Sequence, residues 1–428
     1  MAHIVKELNT SALILSPNKT LAAQLYQEFK GFFPHNKVGY FISYYDYYQP
    51  EAYVPQRNLY VAKEVSINPE LERLKIDASR NLLETKHTII IASVSAIYSI
   101  GSPDDFFKQK IGYIRGSKKK REALLREFVS LGYNRTEDLI ESGKFRVRGN
   151  IIEIFPTSEE LPIRFVLRDG SIEIMETFDA ITAECIETLD KVNIFPISYF
   201  HYKKSIIHRV ITKIEKELTD RLEYFEERGN NEYAERLKER TGFDLELLTQ
   251  YGYCPGIENY SYYLTGRKLD EPPFTILDFF QKDFITIIDE SHVTVPQIQA
   301  MYRGDRSRKE TLVKYGFRLP SALENRPLSF DEFDSKLKKI LYVSATPTKY
   351  EKNDSKGYVS SLLVRPTGLL DPKIECRFTE SPVKDMVSEI REEVEQNNRI
   401  LVTTLTKKMA EKLTDFLTIN QIKATYMH

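Results

Sequence analysis

FITIIDESH, residues 284–292, is an apolar run of central-strand length that delivers two adjacent carboxylates, Asp289 and Glu290. That pattern suits nucleotide hydrolysis, with one carboxylate holding the shell of a magnesium ion and the next orienting or deprotonating the attacking water. The bland alternative is that the pair only starts the following helix. Fifty-five residues beyond Asp289, the SATP segment Ser344, Ala345, Thr346 and Pro347 ends a second apolar run. In a two-lobed motor such a segment couples nucleotide state to a polynucleotide track; otherwise it is a strand exit stopped by proline. A phosphate cradle should accompany these motifs, and the sequence has none: neither GxxxxGKS nor GxxxxGKT occurs. Lys19-Thr20 follows Asn18 without the glycines that turn backbone N–H groups around a pyrophosphate, so it reads as a helix start.

A second chemistry sits early in the chain. Of 26 tyrosines, seven (Tyr40, Tyr44, Tyr45, Tyr47, Tyr48, Tyr53 and Tyr60) fall within residues 40–60, where even scatter places about one. Aromatic faces stack on bases for about 1–3 kcal/mol each without regard to sequence. Tyrosine also fills β-rich cores, but here Pro50, Pro55 and Pro69 interrupt the segment. Asp46, Gln49, Glu51, Gln56, Arg57 and Asn58 are interleaved as well, and a packed core would leave such groups unpartnered.

Composition bounds the frame for both sites. With 428 residues the chain has room for about three domains. Sixty-one basic against 62 acidic residues, a net charge of −1, exclude binding to nucleic acid by global charge. No uninterrupted apolar stretch approaches membrane-helix length, and Cys185, Cys254 and Cys376 lie too far apart for a zinc site or a disulfide framework. A cytoplasmic protein without membrane partners is expected. The runs 11–16, 88–93, 284–289, 339–344 and 400–404 read as strands of a parallel sheet. The stripe Leu21, Leu25, Phe29 makes the first run's successor a helix capped by Ser16 or Asn18. Between about 102 and 197 the pattern turns antiparallel. Gly149-Asn150 sets Val147 opposite Ile152, Phe145 opposite Ile154 and Arg146 opposite Glu153, while Asp169-Gly170 sets Leu167 opposite Ile172 and Phe165 opposite Ile174. From 203 to about 250 the sequence reads as a charged helical hairpin broken at Gly229-Asn230.

Several stretches resemble the UvrB family, the damage-verifying subunits of bacterial nucleotide excision repair. Among them are PNKTLAAQLYQEFK, SYYDYYQPEAYVP, GIENYS, IIDESHVTVPQ, GFRLPSALENRPL, LYVSATP, RPTGLLDP and LVTTLTKKMAEKLTDFL. The resemblance implies an α/β, RecA-like (superfamily 2 helicase-like) parallel sheet carrying a β-hairpin, a small α+β insertion, a helical insertion and a truncated second RecA-like lobe. Its divisions would be 1–101, with the hairpin at about 44–67, then 102–197, 198–275, 276–364 and 365–428. It implies that Tyr44, Tyr45, Tyr47, Tyr48, Tyr53 and Tyr60, with Glu51 and Lys63 beside them, contact DNA. Asp289 and Glu290 would handle the magnesium of ATP, and Ser344, Ala345 and Thr346 would couple the lobes. Arg146, Arg148 and Arg164 would meet UvrA, although Val166 stands where the family has an acidic residue. The basic excess of 104–148, twelve Lys or Arg against seven Asp or Glu, lies in the same insertion.

The family's phosphate loop would precede the helix that AHIVKELN resembles, and its later motor motifs and UvrC-docking module would follow the last residue. The expectation is therefore a chain that binds damaged DNA and UvrA, clamps one strand behind the hairpin, and has lost ATP turnover, with a loose second lobe. The alternatives are a non-enzymatic UvrA-binding adaptor and a fragment like a transcription-repair coupling factor, which lacks the tyrosine ribbon.

Overall fold

In the computed structural model, which describes residues 1–268, 271–281, 283–363, 368, 372–378 and 380–427, apolar runs far apart in sequence meet in a five-stranded sheet. Its order is Lys339–Tyr342, Phe284–Ile288, Ser11–Ser16, Ile89–Ser93, Val38–Phe41, and every pairing is parallel. The three middle strands are covered on both faces, which is why they read as unbroken apolar runs. Leu13, Leu15 and Ile90 face a core with Phe106, Phe279 and Ile298, while Ala12, Ile14 and Ile287 face one with Phe29 and Tyr40. Tyr40 is thus a core residue, its hydroxyl donating to the Lys19 carbonyl at 3.0 Å. Asn18 is the cap of helix Lys19–Phe32, accepting from the Leu21 amide at 2.9 Å. Because the strands are parallel, their carboxyl ends share one edge, and Asp289 and the SATP segment emerge there side by side.

The segment inserted after the first strands forms its own six-stranded sheet over a core of Phe128, Phe145, Ile152, Phe165 and Met175. The Gly149-Asn150 hairpin has the expected register, Val147 on Ile152, Phe145 on Ile154 and Arg146 on Glu153. Asp169 and Gly170 both take positive φ, 49° and 72°, as a tight two-residue turn requires. Leu167 does pair with Ile172, but Phe165 meets Met175 instead of Ile174. Glu173 is an extra residue in its strand, and this bulge turns the residues after it over, so Met175 is buried and Ile174 faces outward. Helices Lys204–Glu226 and Asn231–Tyr251 then form the charged hairpin, joined through Gly229 at φ 70°. Their seam is Ile207, Val210, Ile214, Phe225, Leu237 and Leu248.

The chain divides into two units, Met1–Val359 and Ser360–His428. The second contains helices Pro382–Glu395 and Lys407–Ile419, the latter capped by Thr406. The strand expected at 400–404 does not form. A short apolar run becomes a parallel strand only beside others that cover its backbone groups, and this unit has no strand among its described residues. Only Gly368 and Pro372 of RPTGLLDP lie within the described residues. Among the described residues no helix is long and apolar enough to cross a membrane.

Candidate nucleic-acid interface

The tyrosine segment folds as an antiparallel ribbon. Tyr45–Gln49 pairs with Glu64–Ile67, and beyond a waist Ala52–Val54 pairs with Leu59–Val61 around a short turn at Pro55–Arg57. Its root is closed by Asn68, whose amide donates to the Tyr44 carbonyl at 2.8 Å. The Asn68 side chain caps helix Pro69–Glu84, accepting from the Glu70 and Leu71 amides at 3.1 Å each. Asp46 is an extra residue in the first strand, and the slip lets Tyr45 and Tyr48 stack with centroids 5.2 Å apart at 20°.

The rings divide into two groups. Tyr44, Tyr45 and Tyr48 form a stack near the root, and Tyr47 and Tyr48 are about half exposed, at 52% and 50%. Lys75 brings its ammonium 4.9 Å from the Tyr44 centroid and 4.8 Å from that of Phe41; burial pushes its pKa down to about 8, with Glu72 opposing. Burial, then the neighbouring Tyr45, pushes the Tyr44 phenol up, so it stays neutral. Beyond the waist, Tyr60 lies flat on Phe317 at 4.7 Å and 3°, and Tyr53 packs on Phe317 and Tyr315 at 4.8 and 5.0 Å. Arg236 covers Phe317 at 4.4 Å. These two tyrosines hold the ribbon to the protein.

Glu51 and Lys63, expected beside the DNA, are instead the fasteners of the waist. Glu51 is buried, accepting from Arg318 Nε at 2.8 Å and from the Tyr60 hydroxyl at 2.6 Å, while Arg308 donates to its backbone carbonyl. Burial opposes the Arg318 charge, but Glu51 outweighs it and holds the guanidinium above its usual range; Asp244 stands 3.6 Å away. Lys63 is half-buried, its ammonium 2.6 Å from Glu258. Desolvation works against that charge too, and Glu258 more than compensates, so the lysine is held protonated. Arg318, Phe317 and Glu258 are the partners that sequence reasoning missed. They sit within GFRLPSALENRPL and GIENYS, and nothing local in those stretches tells of ribbon residues some 195 and 267 positions away.

At the carboxyl edge of the parallel sheet, Asp289 and Glu290 are half-buried. Burial, then the adjacent Glu290, raises the Asp289 pKa. Glu290 takes φ 42°, a left-handed conformation that a non-glycine residue holds at some cost. His292 Nδ1 lies 2.8 Å from Ser344 Oγ, which also accepts from the Thr346 amide at 3.0 Å. The Ser291 amide donates to the Val343 carbonyl, joining the two motifs through backbone as well. Ala345 and Thr346 are exposed. The acidic pair fits the carboxylate half of a magnesium–nucleotide site. No glycine-rich turn presents inward amides beside it among the described residues, so the phosphate half has no fit.

Of the three arginines expected to meet a partner, two are paired inside their own sheet. Arg146 is buried, with Nε and Nη2 at 2.8 and 2.6 Å from Glu153 Oε2. Arg164 reaches Glu153 Oε1 at 3.1 Å and Glu176 Oε1 at 2.8 Å. Only Arg148 is exposed.

A parallel-sheet core with an acidic pair at its carboxyl edge, a root-and-waist-anchored aromatic ribbon and two insertions defines a RecA-like, helicase-like chain. Residues 113–200 match the family described as UvrB interaction domain, and residues 205–266 match UvrB third helical domain. The chain is 50% identical over 429 aligned residues to UvrABC system protein B of Carboxydothermus hydrogenoformans, covering 100% of this chain and 65% of that protein. It is 49% identical to that of Thermus thermophilus, covering 64% of it, and 48% identical to that of Methanothermobacter thermautotrophicus, covering 66%, each across the whole of this chain. The chain belongs to the UvrB family, and it spans about 65% of the length of the curated relatives it matches.

Proposed function

We propose that the chain serves UvrABC-type nucleotide excision repair in the cytoplasm, holding one strand of damaged DNA beneath the tyrosine ribbon after UvrA has loaded it. The supporting observation is the near half of the ribbon. Tyr45–Gln49 and Glu64–Ile67 are largely exposed, yet they span between a root in the sheet and a waist fastened by Glu51–Arg318 and Lys63–Glu258. Tyr47 and Tyr48 are the rings left free to stack on bases, and Tyr45 supports them. A bulky nucleotide is arrested at such a bridge because it cannot pass the stacked rings.

The insertion at 102–197 supplies the UvrA-docking surface, while UvrC is met through other parts of the family's proteins. Asp289 and Glu290 would hold the hydrated magnesium of ATP; no ATP hydrolysis is assigned to this chain, because the phosphate half of that site has no fit. The test is a native gel with UvrA and a duplex bearing one bulky adduct. Tyr48→Ala should weaken retention about tenfold or more, the worth of one stacked base, while leaving UvrA binding intact. Unchanged retention on adducted duplex, with UvrA still bound, would favour the adaptor reading.

A further inference from the structure

The face of the insertion sheet that points away from its core carries two cross-strand rows. The first is Arg146, Glu153, Arg164 and Glu176, which alternate in sign and satisfy one another. Two residues along each strand lies the second: Arg148, Ile151, Val166 and Ile174. Ile174 joins this row because of the bulge at Glu173; in the unbulged register it would enter the core opposite Phe165. Ile151 and Ile174 are each 38% exposed and Val166 lies half-buried between them. The solvent face of an antiparallel sheet ordinarily carries polar side chains, so three adjoining β-branched residues form an apolar strip.

The rim of that strip is basic. Arg148 ends the row, Arg121 Nε donates to the Gly149 carbonyl at 3.1 Å, and the Lys119 amide donates to the Gly170 carbonyl at 2.7 Å. The loop therefore brings exposed Lys118 and Lys120 to the same end of the sheet. An occupant must offer an apolar centre and a carboxylate rim.

We infer that Ile151, Val166 and Ile174 are the specificity-determining centre of the docking face, seated on a matching apolar, acid-rimmed patch of UvrA. This rests on the reading of the insertion as the UvrA-docking domain. Arg146 and Arg164 are positioning residues that keep the face flat, and Arg148 acts at the rim.

The experiment titrates the full chain against its cognate UvrA by calorimetry at two salt concentrations, about 0.1 and 0.4 M. Val166→Asp and Ile174→Asp, which place a carboxylate in the strip, should each weaken binding about tenfold or more. Val166→Ile should stay within about threefold of the parent, and the parent should lose less than about threefold at the higher salt. Circular dichroism checks that both aspartate variants remain folded, as expected on an outward-facing row. If the aspartate variants bind like the parent while Arg148→Ala and added salt abolish binding, docking is by charge and the inference is overturned with the docking reading intact. If the parent itself does not bind UvrA at either salt, the docking reading fails and the strip's role with it.

Discussion

Removing the Glu51–Arg318 pair one partner at a time isolates what holds the ribbon's waist. Both side chains are under 10% exposed, at 9% and 8%, and lie 2.8 Å apart. Breaking such a buried pair from one side costs about 3–5 kcal/mol, because a charge is left without its partner. Glu51→Gln falls at or below the lower end, about 2–3 kcal/mol, since the amide oxygen still accepts from Tyr60 and Asp244 still faces the guanidinium at 3.6 Å. Arg318→Met falls higher, about 4 kcal/mol, because Glu51 and buried Asp244 lose their shared cation together. The double variant has neither orphan to the same degree and should cost about 3 kcal/mol, leaving a coupling of roughly 3 kcal/mol. Hydrogen exchange of amides 45–67 is the assay, because local opening of the ribbon is what the pair opposes. A loss of 2–3 kcal/mol speeds exchange on the order of 30- to 150-fold. If the single costs add to within about 0.5 kcal/mol, or exchange across the ribbon is unchanged, the pair does not fasten it.

Two further outcomes follow from titrating groups. Asp289 has its folded pKa raised by burial, so the folded state keeps a proton that the unfolded state releases, and stability falls as pH rises from the ordinary aspartate value of about 4. Asp289→Asn should therefore raise the melting temperature by a few degrees at pH 7.5, about 1 kcal/mol or less, and by little near pH 3.5; an equal gain at both would refute the cause. Lys75 has its folded pKa pushed down to about 8, below the unfolded value of about 10.4, so its charge destabilises most at lower pH and stability rises from pH 8 upward. Urea midpoints at pH 7.5 and 9.5 should show that rise in the parent and a smaller one in Lys75→Met, and parallel shifts in the two proteins would exclude Lys75 as its source.

The parallel core was legible because each buried strand is an apolar run followed by a capped or amphipathic helix, as with Ser11–Ser16, Asn18 and Phe29. Val38–Phe41 escaped notice: only four residues long at the sheet edge, it carries little pattern. Turn chemistry located both hairpins of the insertion, but alternation of apolar residues cannot reveal one extra residue, so the bulge at Glu173 and the outward Ile174 were invisible. The ribbon could be read from composition, yet the division of its rings could not. Which tyrosines stay free depends on Phe317 and Arg318, whose approach is fixed by packing of the helical insertion and by no local sequence preference. The same holds for Arg146 and Arg164, whose charges looked available until the sheet placed Glu153 between them.

A strap with two independent buckles behaves differently from one with a single strong buckle. If the Lys63–Glu258 contact and the Glu51–Tyr60–Phe317 group each come undone on the order of 1% of the time, both are undone together on the order of one part in ten thousand. Whatever lies underneath then departs lengthwise far more readily than by lifting away. How long it stays is set by blockages along its own contour, and hardly by how tightly any single point is gripped.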